Sequence, residues 1–198
     1  MLSLSQAGYI DKVLEWFSMQ NSKKGLLSFR HGVPLSNDQR SNTQEDVDMM
    51  RQVPYASTVG SLMYAMLCTR PDICYSVGMV SRYQSNPRPK HWQAVKHILK
   101  YLRRTGDYIL VYRSEDLIPI GYTDSDFQSD LDFRKSTSGC VFTLEGGAIT
   151  WSVKQSCIAD STMEAEYVAA CEAAEDVLWL KKFLSNLGVV KIEQVLIT

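Results

Sequence analysis

The stretch GYTDSDFQSDLDFRKSTSGCVFTLEGGAITWS, Gly121–Ser152, decides the fold because its apolar residues alternate instead of recurring at helical spacing. Just before and inside it, LIPIGYTDSDF predicts a strand. One side of that predicted strand carries Ile118, Ile120, Tyr122 and Asp124. GCVFTLEGGAITWS predicts a hairpin that turns at residues 145–147. Further strands are predicted at YILVYR upstream and at EQVLIT downstream, so the second half of the chain should form a sheet.

A helix is predicted after the hairpin, from Met163 to about Leu187, with Gly188 ending it. Ser161 followed by Glu164 fits a capping box, in which the glutamate reaches back to the backbone N–H of the serine. At about 100° per residue, Glu166 shares the stripe that should pack on the sheet. The other members of that stripe are Ala169, Ala170, Ala173, Val177, Leu180 and Leu184. A carboxylate there needs a basic neighbour, a proton or a metal ion, and an ordinary Lys or Arg partner is an open alternative.

The first half of the chain predicts helices rather than strands. Apolar residues recur at helical spacing in residues 5–17, 56–68, 70–84 and 89–104. Ser5 is the expected N-cap of the first helix, and the second is apolar nearly all round, which predicts burial. Residues 21–50 predict a long polar surface loop with room for one short helix. The expected fold class is therefore α+β or α/β, with a helical segment over residues 1–107 and a partial mixed sheet with a covering helix over residues 108–198.

Charge is unevenly distributed along a chain whose formal net charge is only −1. Between residues 86 and 113 the cations are Arg88, Lys90, Lys96, Lys100, Arg103, Arg104 and Arg113, opposed only by Asp107. Between residues 115 and 132 the acids are Glu115, Asp116, Asp124, Asp126, Asp130 and Asp132, with no base. A basic helix beside an acidic cluster is typical of a protein that binds a phosphate backbone next to a metal site. A solvated helix face is an equally good explanation of the basic run.

Two carboxylates stand out as candidate ligands for a hard cation such as Mg²⁺. Asp124 continues the side of its strand that we expect to be covered, Asp126 is next on that side, and Glu166 lies on the expected inner face of the helix. A turn role is the simpler explanation of a strand-end aspartate. The five cysteines are odd in number and predict reduced thiols in an intracellular protein. No apolar run reaches the roughly 18 residues of a membrane span, so no membrane partner is expected.

Four motifs, CTRPDI, YTDSD, RKSTSG and EAEY, occur in this order, and with them the chain resembles the Pol polyprotein of copia-type LTR retrotransposons from plants. The resemblance implies that residues up to about 107 correspond to the end of a reverse transcriptase, its thumb and connection. Residues from about 108 correspond to the start of a ribonuclease H domain, a mixed five-stranded sheet with helices. Such domains hydrolyse the RNA strand of an RNA–DNA hybrid with two Mg²⁺ ions, or Mn²⁺, held by four carboxylates.

Carried onto this sequence, the motifs assign catalytic roles to Asp124 and to Glu166 in its Ala165-Glu166-Tyr167 context, with Asp126 as a further metal ligand. The expected nucleic-acid-binding residues are Lys90, Lys96, Lys100, Arg103 and Arg104. The expected partners are an RNA–DNA hybrid and the remainder of the polyprotein, in a cytoplasmic virus-like particle or the nucleus.

The sequence also departs from the family pattern. The third family carboxylate follows the strand that begins at VLIT, so the third and fourth are expected to be absent from residues 1–198 and the chain alone inactive. A non-catalytic nucleic-acid-binding remnant and a truncated product without activity are the alternatives. The segment ITWSVKQS is one residue shorter than the usual pattern, which leaves the register near Lys154 open.

Overall fold

The computed structural model describes residues 1–30, 35–37, 44–112, 118–144, 146–154 and 158–188, and the backbone of 196–197. It divides into two compact units, Leu4–Ile109 and Leu110–Thr198 together with Met1–Ser3. The first unit is helical, and the second holds a sheet and a long helix. The predicted fold class, a helical segment followed by a mixed sheet with a covering helix, is therefore confirmed.

The helical unit is built from elements whose apolar faces meet in one core. They are α1 (Ala7–Trp16), α2 (Gln44–Arg51), α3 (Tyr55–Thr69), a 3-10 turn (Pro71–Ile73), α4 (Cys74–Ser81) and α5 (Pro89–Arg104), and they are preceded by the exposed strand β1 (Leu2–Ser5). The core includes Ile10, Val13, Val59, Leu62, Val77, Ile98, Leu99 and Leu102. The four predicted helices and the short helix in the polar stretch are thus confirmed, because each buries residues at helical spacing.

Two details of these helices differ from the predictions. Helix α1 begins at Ala7 with Gln6 as its N-cap, because Ser5 belongs to β1 and its Oγ accepts the Ala7 N–H at 3.3 Å. Helix α3 buries only one face, and Tyr64 and Leu67 are 54% and 66% exposed on the other. Apolar composition all round a helix therefore did not produce burial all round, because neighbours pack on one side of it.

Arg70 joins the start of the 3-10 turn to the end of α5. It is 1% exposed, and its guanidinium donates to both carboxylate oxygens of Asp72 at 2.9 and 2.7 Å. It also donates to the carbonyl and hydroxyl oxygens of Thr105 at 2.9 and 2.5 Å. The Tyr101 hydroxyl donates to the same Asp72 carboxylate at 2.8 Å. The RPD triplet of the sequence therefore folds into a charge-assisted network around the buried guanidinium of Arg70.

His91 fixes the N-terminus of α5. Its Nδ1 accepts the Arg88 N–H at 3.0 Å, so the proton of the neutral ring is on Nε2, which lies 3.2 Å from the Ser36 carbonyl oxygen. The ring also stacks on Tyr83 with centroids 3.9 Å apart. These contacts hold the first turn of the basic helix in place.

The second unit contains the predicted sheet. Its elements are β2 (Ile109–Tyr112), β3 (Pro119–Asp126), β4 (Thr137–Leu144), β5 (Gly147–Lys154), α6 (Thr162–Asn186) and β6 (Leu196–Ile197). The main sheet has the order β5-β4-β3-β6, with β3–β4 and β4–β5 antiparallel and β6 parallel to β3, while β1 pairs with β2. The hairpin is confirmed, with Gly146 at φ +78° in its turn, and Glu145 lies outside the described residues.

Helix α6 packs on β3 and β4, and the contact is centred on Phe142. This ring is fully buried against Ala173, Leu180 and Leu184. Gly121 pairs with Phe142 across the ladder, and a Cβ at residue 121 would lie 2.4 Å from the ring. The covered face of β3 is therefore the Gly121 side, where β4 supplies the apolar bulk.

This packing overturns the predicted facing of β3. The side that carries Ile118, Ile120, Tyr122 and Asp124 was expected to be covered. Instead Ile118 and Tyr122 are 53% and 48% exposed, and Pro119 and Gly121 are buried.

Among the helices of the described segments, none is long and apolar enough to cross a membrane.

Candidate nucleic-acid interface and carboxylate site

Asp124 and Asp126 lie near the end of β3 and are both exposed. They are two residues apart on a strand, so they share the side opposite Gly121 and face away from α6. The Asp124 carboxylate accepts the N–H of the next residue, Ser125, at 2.9 Å. The two aspartates are thus brought together on one side of the sheet, at the side that α6 leaves uncovered.

Glu166 is not on the inner face of α6, so its predicted facing was wrong by one position. The buried stripe consists of Ala165, Ala169, Ala173, Leu180 and Leu184, while Glu166 and Ala170 are exposed. The helical spacing was right, but the rotation of the helix is set by what the sheet offers it. The structure therefore places Glu166 on the exposed part of α6.

The capping box at the start of α6 is confirmed with one difference. Ser161 is the N-cap, and its Oγ accepts the Glu164 N–H at 3.1 Å. The Glu164 carboxylate accepts the N–H of Asp160 at 2.8 Å rather than that of Ser161. Glu164 therefore has the structural role expected of it.

The described residues do not fit a two-magnesium site. Across the described parts of both units, no three His, Cys, Asp or Glu side chains are grouped so that they could hold a metal ion. Mg²⁺ demands near-octahedral oxygen coordination and binds weakly to incomplete sets. Asp130 is 4% exposed and accepts the Asp132 N–H at 3.0 Å, so it shapes its loop, while Glu115 and Asp116 lie outside the described residues.

The acids on the inner side of α6 are Glu172 and Asp176, which the sequence analysis did not single out. Ser138 donates to Glu172, and Lys154 lies 3.4 Å from an Asp176 oxygen. This ion pair shows that Lys154 faces α6, which settles the register of β5 at that residue. The inward position of these two acids could have been predicted from the helical spacing, because residues 172 and 176 adjoin the alanine stripe of α6.

Cys140 belongs to the same cluster. Its thiol donates to Asp176 at 3.3 Å and lies 3.1 Å from the Ser152 hydroxyl. Burial raises the pKa of the Cys140 thiol, the bond with Ser152 opposes this, and the bond to Asp176 reinforces it. The thiol is therefore held protonated, as a donor in a polar seam between helix and sheet.

Helix α5 has the amphipathic arrangement that its sequence predicts. Val95, Ile98, Leu99 and Leu102 are fully buried. The cations on its other sides are Lys90 and Arg104, which are exposed, and Lys96, Lys100 and Arg103, which are half-buried. All five are thus within reach of a ligand in solvent, while Arg113 lies outside the described residues.

The polar segment formed by residues 20–30 enlarges this basic face, a feature that sequence reasoning missed. The Gly25 N–H donates to the Lys100 carbonyl oxygen at 2.8 Å. Lys23, Lys24 and Arg30 are exposed on the segment. A polar stretch without periodicity gives no signal of where it will lie, so its union with α5 could not have been predicted.

His97 lies half-buried within this basic region. Burial lowers the pKa of His97 below its usual range, and the charges of Arg30, Lys100 and Lys96 act in the same direction. The ring is therefore neutral at pH 7, and the region around it has a positive potential that favours anions.

Over most of its length the chain is similar to retrovirus-related Pol polyproteins from plant transposons. It is 50% identical over 188 residues to the retrovirus-related Pol polyprotein from transposon TNT 1-94 of Nicotiana tabacum, covering 94% of this chain and 14% of that protein. It is 30% identical over 190 residues to the polyprotein from transposon RE2 of Arabidopsis thaliana, covering 95% of this chain and 13% of that protein. The chain thus spans a small part of the length of these polyproteins.

A third relative is matched over almost its whole length. It is the secreted RxLR effector protein 161 of Plasmopara viticola, 45% identical over 133 residues, covering 66% of this chain and 94% of that protein. No protein-family profile matches the chain. No solved structure matches it either. The two polyproteins described above confirm the predicted resemblance to Pol polyproteins of plant transposons.

Proposed function

We propose that this chain is a fragment of a copia-type Pol polyprotein, in which residues 1–107 are the end of the reverse transcriptase and residues 108–198 are the start of the ribonuclease H domain. We propose also that the chain alone binds an RNA–DNA hybrid and does not cleave it. The observation that carries the binding role is α5, which buries its apolar side and presents Lys90, Lys96, Lys100, Arg103 and Arg104. Cations on one helix neutralise successive phosphates without reading base sequence.

The assignment to a ribonuclease H-like fold is supported by the arrangement of the sheet. Three antiparallel strands are followed by α6 and then by β6, which pairs in parallel with β3. This order agrees with the mixed sheet that the YTDSD, RKSTSG and EAEY motifs imply. Those motifs also make Asp124 and Glu166 our candidate ligands in a complete polyprotein, where other residues must complete the set.

The positions of the carboxylates support the proposal that the chain alone does not cleave the hybrid. Asp124 and Asp126 face away from α6, and Glu166 is exposed on the outer part of that helix. Among the described residues no third side chain joins these carboxylates to form a metal-binding group, so we propose no hydrolytic step for the chain alone.

The binding role is tested by the salt dependence of affinity. A fluorescein-labelled RNA–DNA hybrid is titrated with the chain between about 50 and about 200 mM salt, and with the triple variant Lys96→Gln, Lys100→Gln, Arg103→Gln. Glutamine keeps most of each half-buried stem while removing the charge. If each cation meets one phosphate, the slope of log affinity against log salt should flatten by about 2–3.

The matched control removes the same number of charges elsewhere, with Lys12→Gln, Lys181→Gln and Lys182→Gln at exposed positions. It should leave the slope unchanged. A chain that does not bind the hybrid, or an α5 variant whose slope equals that of wild type, would contradict the proposal.

A further inference from the structure

The segment of residues 20–30 is fixed on the helical unit by three contacts with two different helices. Gly25 donates its N–H to the carbonyl oxygen of Lys100 on α5 at 2.8 Å. Ser76 on α4 donates to the Ser28 hydroxyl at 2.8 Å. The rings of Phe29 and Tyr75 meet edge to face with centroids 5.6 Å apart. The position of the segment is therefore determined by main-chain, polar and aromatic contacts together.

Gly25 allows the segment to lie directly on α5. A Cβ at this residue would be 3.1 Å from both the Lys100 Cβ and the Tyr101 nitrogen, closer than ordinary van der Waals contact. The two backbones thus run within hydrogen-bond distance of each other. As a result, the exposed cations on either side of Gly25 lie beside the basic face of α5 rather than out in a separate loop.

We propose that Lys23, Lys24 and Arg30 join Lys96 and Lys100 in one composite surface for a nucleic-acid backbone, and that His97 within it couples binding to the uptake of a proton. This inference rests on the proposed hybrid-binding function and specifies its surface and its regulation. The surface is defined by these six residues and is called the composite basic surface below.

The coupling follows from the charges that face His97. Lys96 and Lys100 act on it from its own helix, and Arg30 acts on it from the segment packed above. On α4 the segment contacts Ser76 and Tyr75, and α1 packs on α5 through apolar residues. The field at the ring is therefore set by three cations.

The direction of the coupling can be worked out from this arrangement. In the free protein, burial and the three cations lower the pKa of His97. Bound phosphates would offset those cations, so the pKa of His97 would rise in the complex. Since the complex binds the proton more tightly than the free protein does, affinity should increase as the pH falls through the range below about 6.5. A rise of one pKa unit would give up to about a tenfold gain.

A nucleic-acid backbone suits the composite basic surface better than a lipid surface, because the segment is hydrogen-bonded to α5, which itself carries five cations. Leu26 and Leu27 are 71% and 63% exposed beside Lys23 and Lys24, and such a combination also suits an anionic membrane. Vesicles are therefore included in the experiment as the competing outcome.

The experiment uses the full chain and the labelled hybrid, with the triple variant Lys23→Gln, Lys24→Gln, Arg30→Gln. We expect the salt slope to flatten by about 2–3, as for the α5 variant, and the variant with three exposed replacements at residues 12, 181 and 182 to be unchanged. Circular dichroism verifies that each variant is folded. All three replaced side chains are exposed, so folding should be preserved.

The outcomes separate this inference from the proposed function. If the α5 variant flattens the slope and the segment variant does not, the composite basic surface is refuted while hybrid binding stands. If neither changes the slope, both are refuted. If the segment variant loses binding only to vesicles of phosphatidylserine and phosphatidylcholine, the segment is a lipid site and the inference is wrong.

The proton coupling has its own readout. Hybrid affinity is measured at about pH 7.5 and about pH 5.5, on either side of the ordinary histidine pKa. Wild type should bind several-fold more tightly at the lower pH, and His97→Gln should remove that gain. A gain that persists in His97→Gln, or no gain in wild type, would overturn the coupling.

Discussion

Replacing Arg70 with methionine should destabilise the helical unit more than any change to a surface charge of the same kind. The guanidinium is 1% exposed and makes two hydrogen bonds to Asp72 and two to Thr105. Methionine fills much of the volume of the stem but leaves the Asp72 carboxylate and both Thr105 oxygens without this donor. The loss therefore includes the bonds and the cost of desolvated acceptors.

The magnitude can be bounded from the burial of the two partners. Removing one member of a buried, hydrogen-bonded pair costs about 3–5 kcal/mol, and the Asp72 side chain is 32% exposed, so water recovers part of that cost. We expect about 3 kcal/mol for Arg70→Met. Arg70→Lys should cost less, about 2 kcal/mol, because an ammonium group keeps the charge but cannot bond both Asp72 oxygens and Thr105 together.

Hydrogen-exchange mass spectrometry is the suitable assay, since it reports on the helical unit separately from the sheet unit. A loss of about 3 kcal/mol corresponds to roughly 150-fold faster exchange of globally protected amides in α4 and α5. The matched control is Arg51→Met, because Arg51 pairs with Asp48 at 3.2 Å while their side chains are 74% and 56% exposed. That pair should contribute about 0–1 kcal/mol. Equal effects of Arg70→Met and Arg51→Met would refute the reasoning.

Two further predictions concern the sheet and the titration of a tyrosine. Gly121→Ala should destabilise β3 and β4 by about 1–3 kcal/mol, because its Cβ would lie 2.4 Å from the Phe142 ring. Gly139→Ala should destabilise them far less, because the nearest atom to its Cβ would be 4.0 Å away. Equal hydrogen-exchange rates in the two variants would contradict this prediction. Burial raises the pKa of Tyr101 to about 12, and its bond to Asp72 adds to this, so stability should fall as the pH rises from about 10 toward 12. Asp72→Asn should lower that pKa in an ultraviolet titration, and an unchanged value would show that the carboxylate does not act on the phenol.

Features that depend on neighbours in the sequence could be predicted from it. The hairpin turns at Gly146 because glycine tolerates positive φ, and α6 starts at Ser161 because a serine hydroxyl can accept a backbone N–H of the first turn. The apolar side of α5 could be identified because its 3.6-residue spacing is regular. In each case the cause lies within a few residues of the feature.

Features that depend on residues far away in the sequence could not be predicted from it. The covered face of β3 carries little bulk of its own, because Gly121 makes room for Phe142 of β4, and counting apolar residues on one strand selected the wrong side. Glu166 was misplaced for the same reason, since the rotation of α6 depends on where Ala165 and its stripe meet the sheet. The path of the segment of residues 20–30 depends on a bond between Gly25 and Lys100, which are far apart in the sequence.

The central claim, that this chain binds RNA–DNA hybrid but does not cut it alone, is tested most directly by following one end-labelled hybrid for both binding and cleavage. The chain is incubated with the hybrid in Mg²⁺ and in Mn²⁺, with Glu166→Gln and Asp124→Asn as controls. We expect salt-sensitive binding, an intact RNA strand, and no difference between wild type and the two variants. Cleavage by wild type that both variants lose would contradict it, and would mean that Asp124 and Glu166 already complete a working metal site.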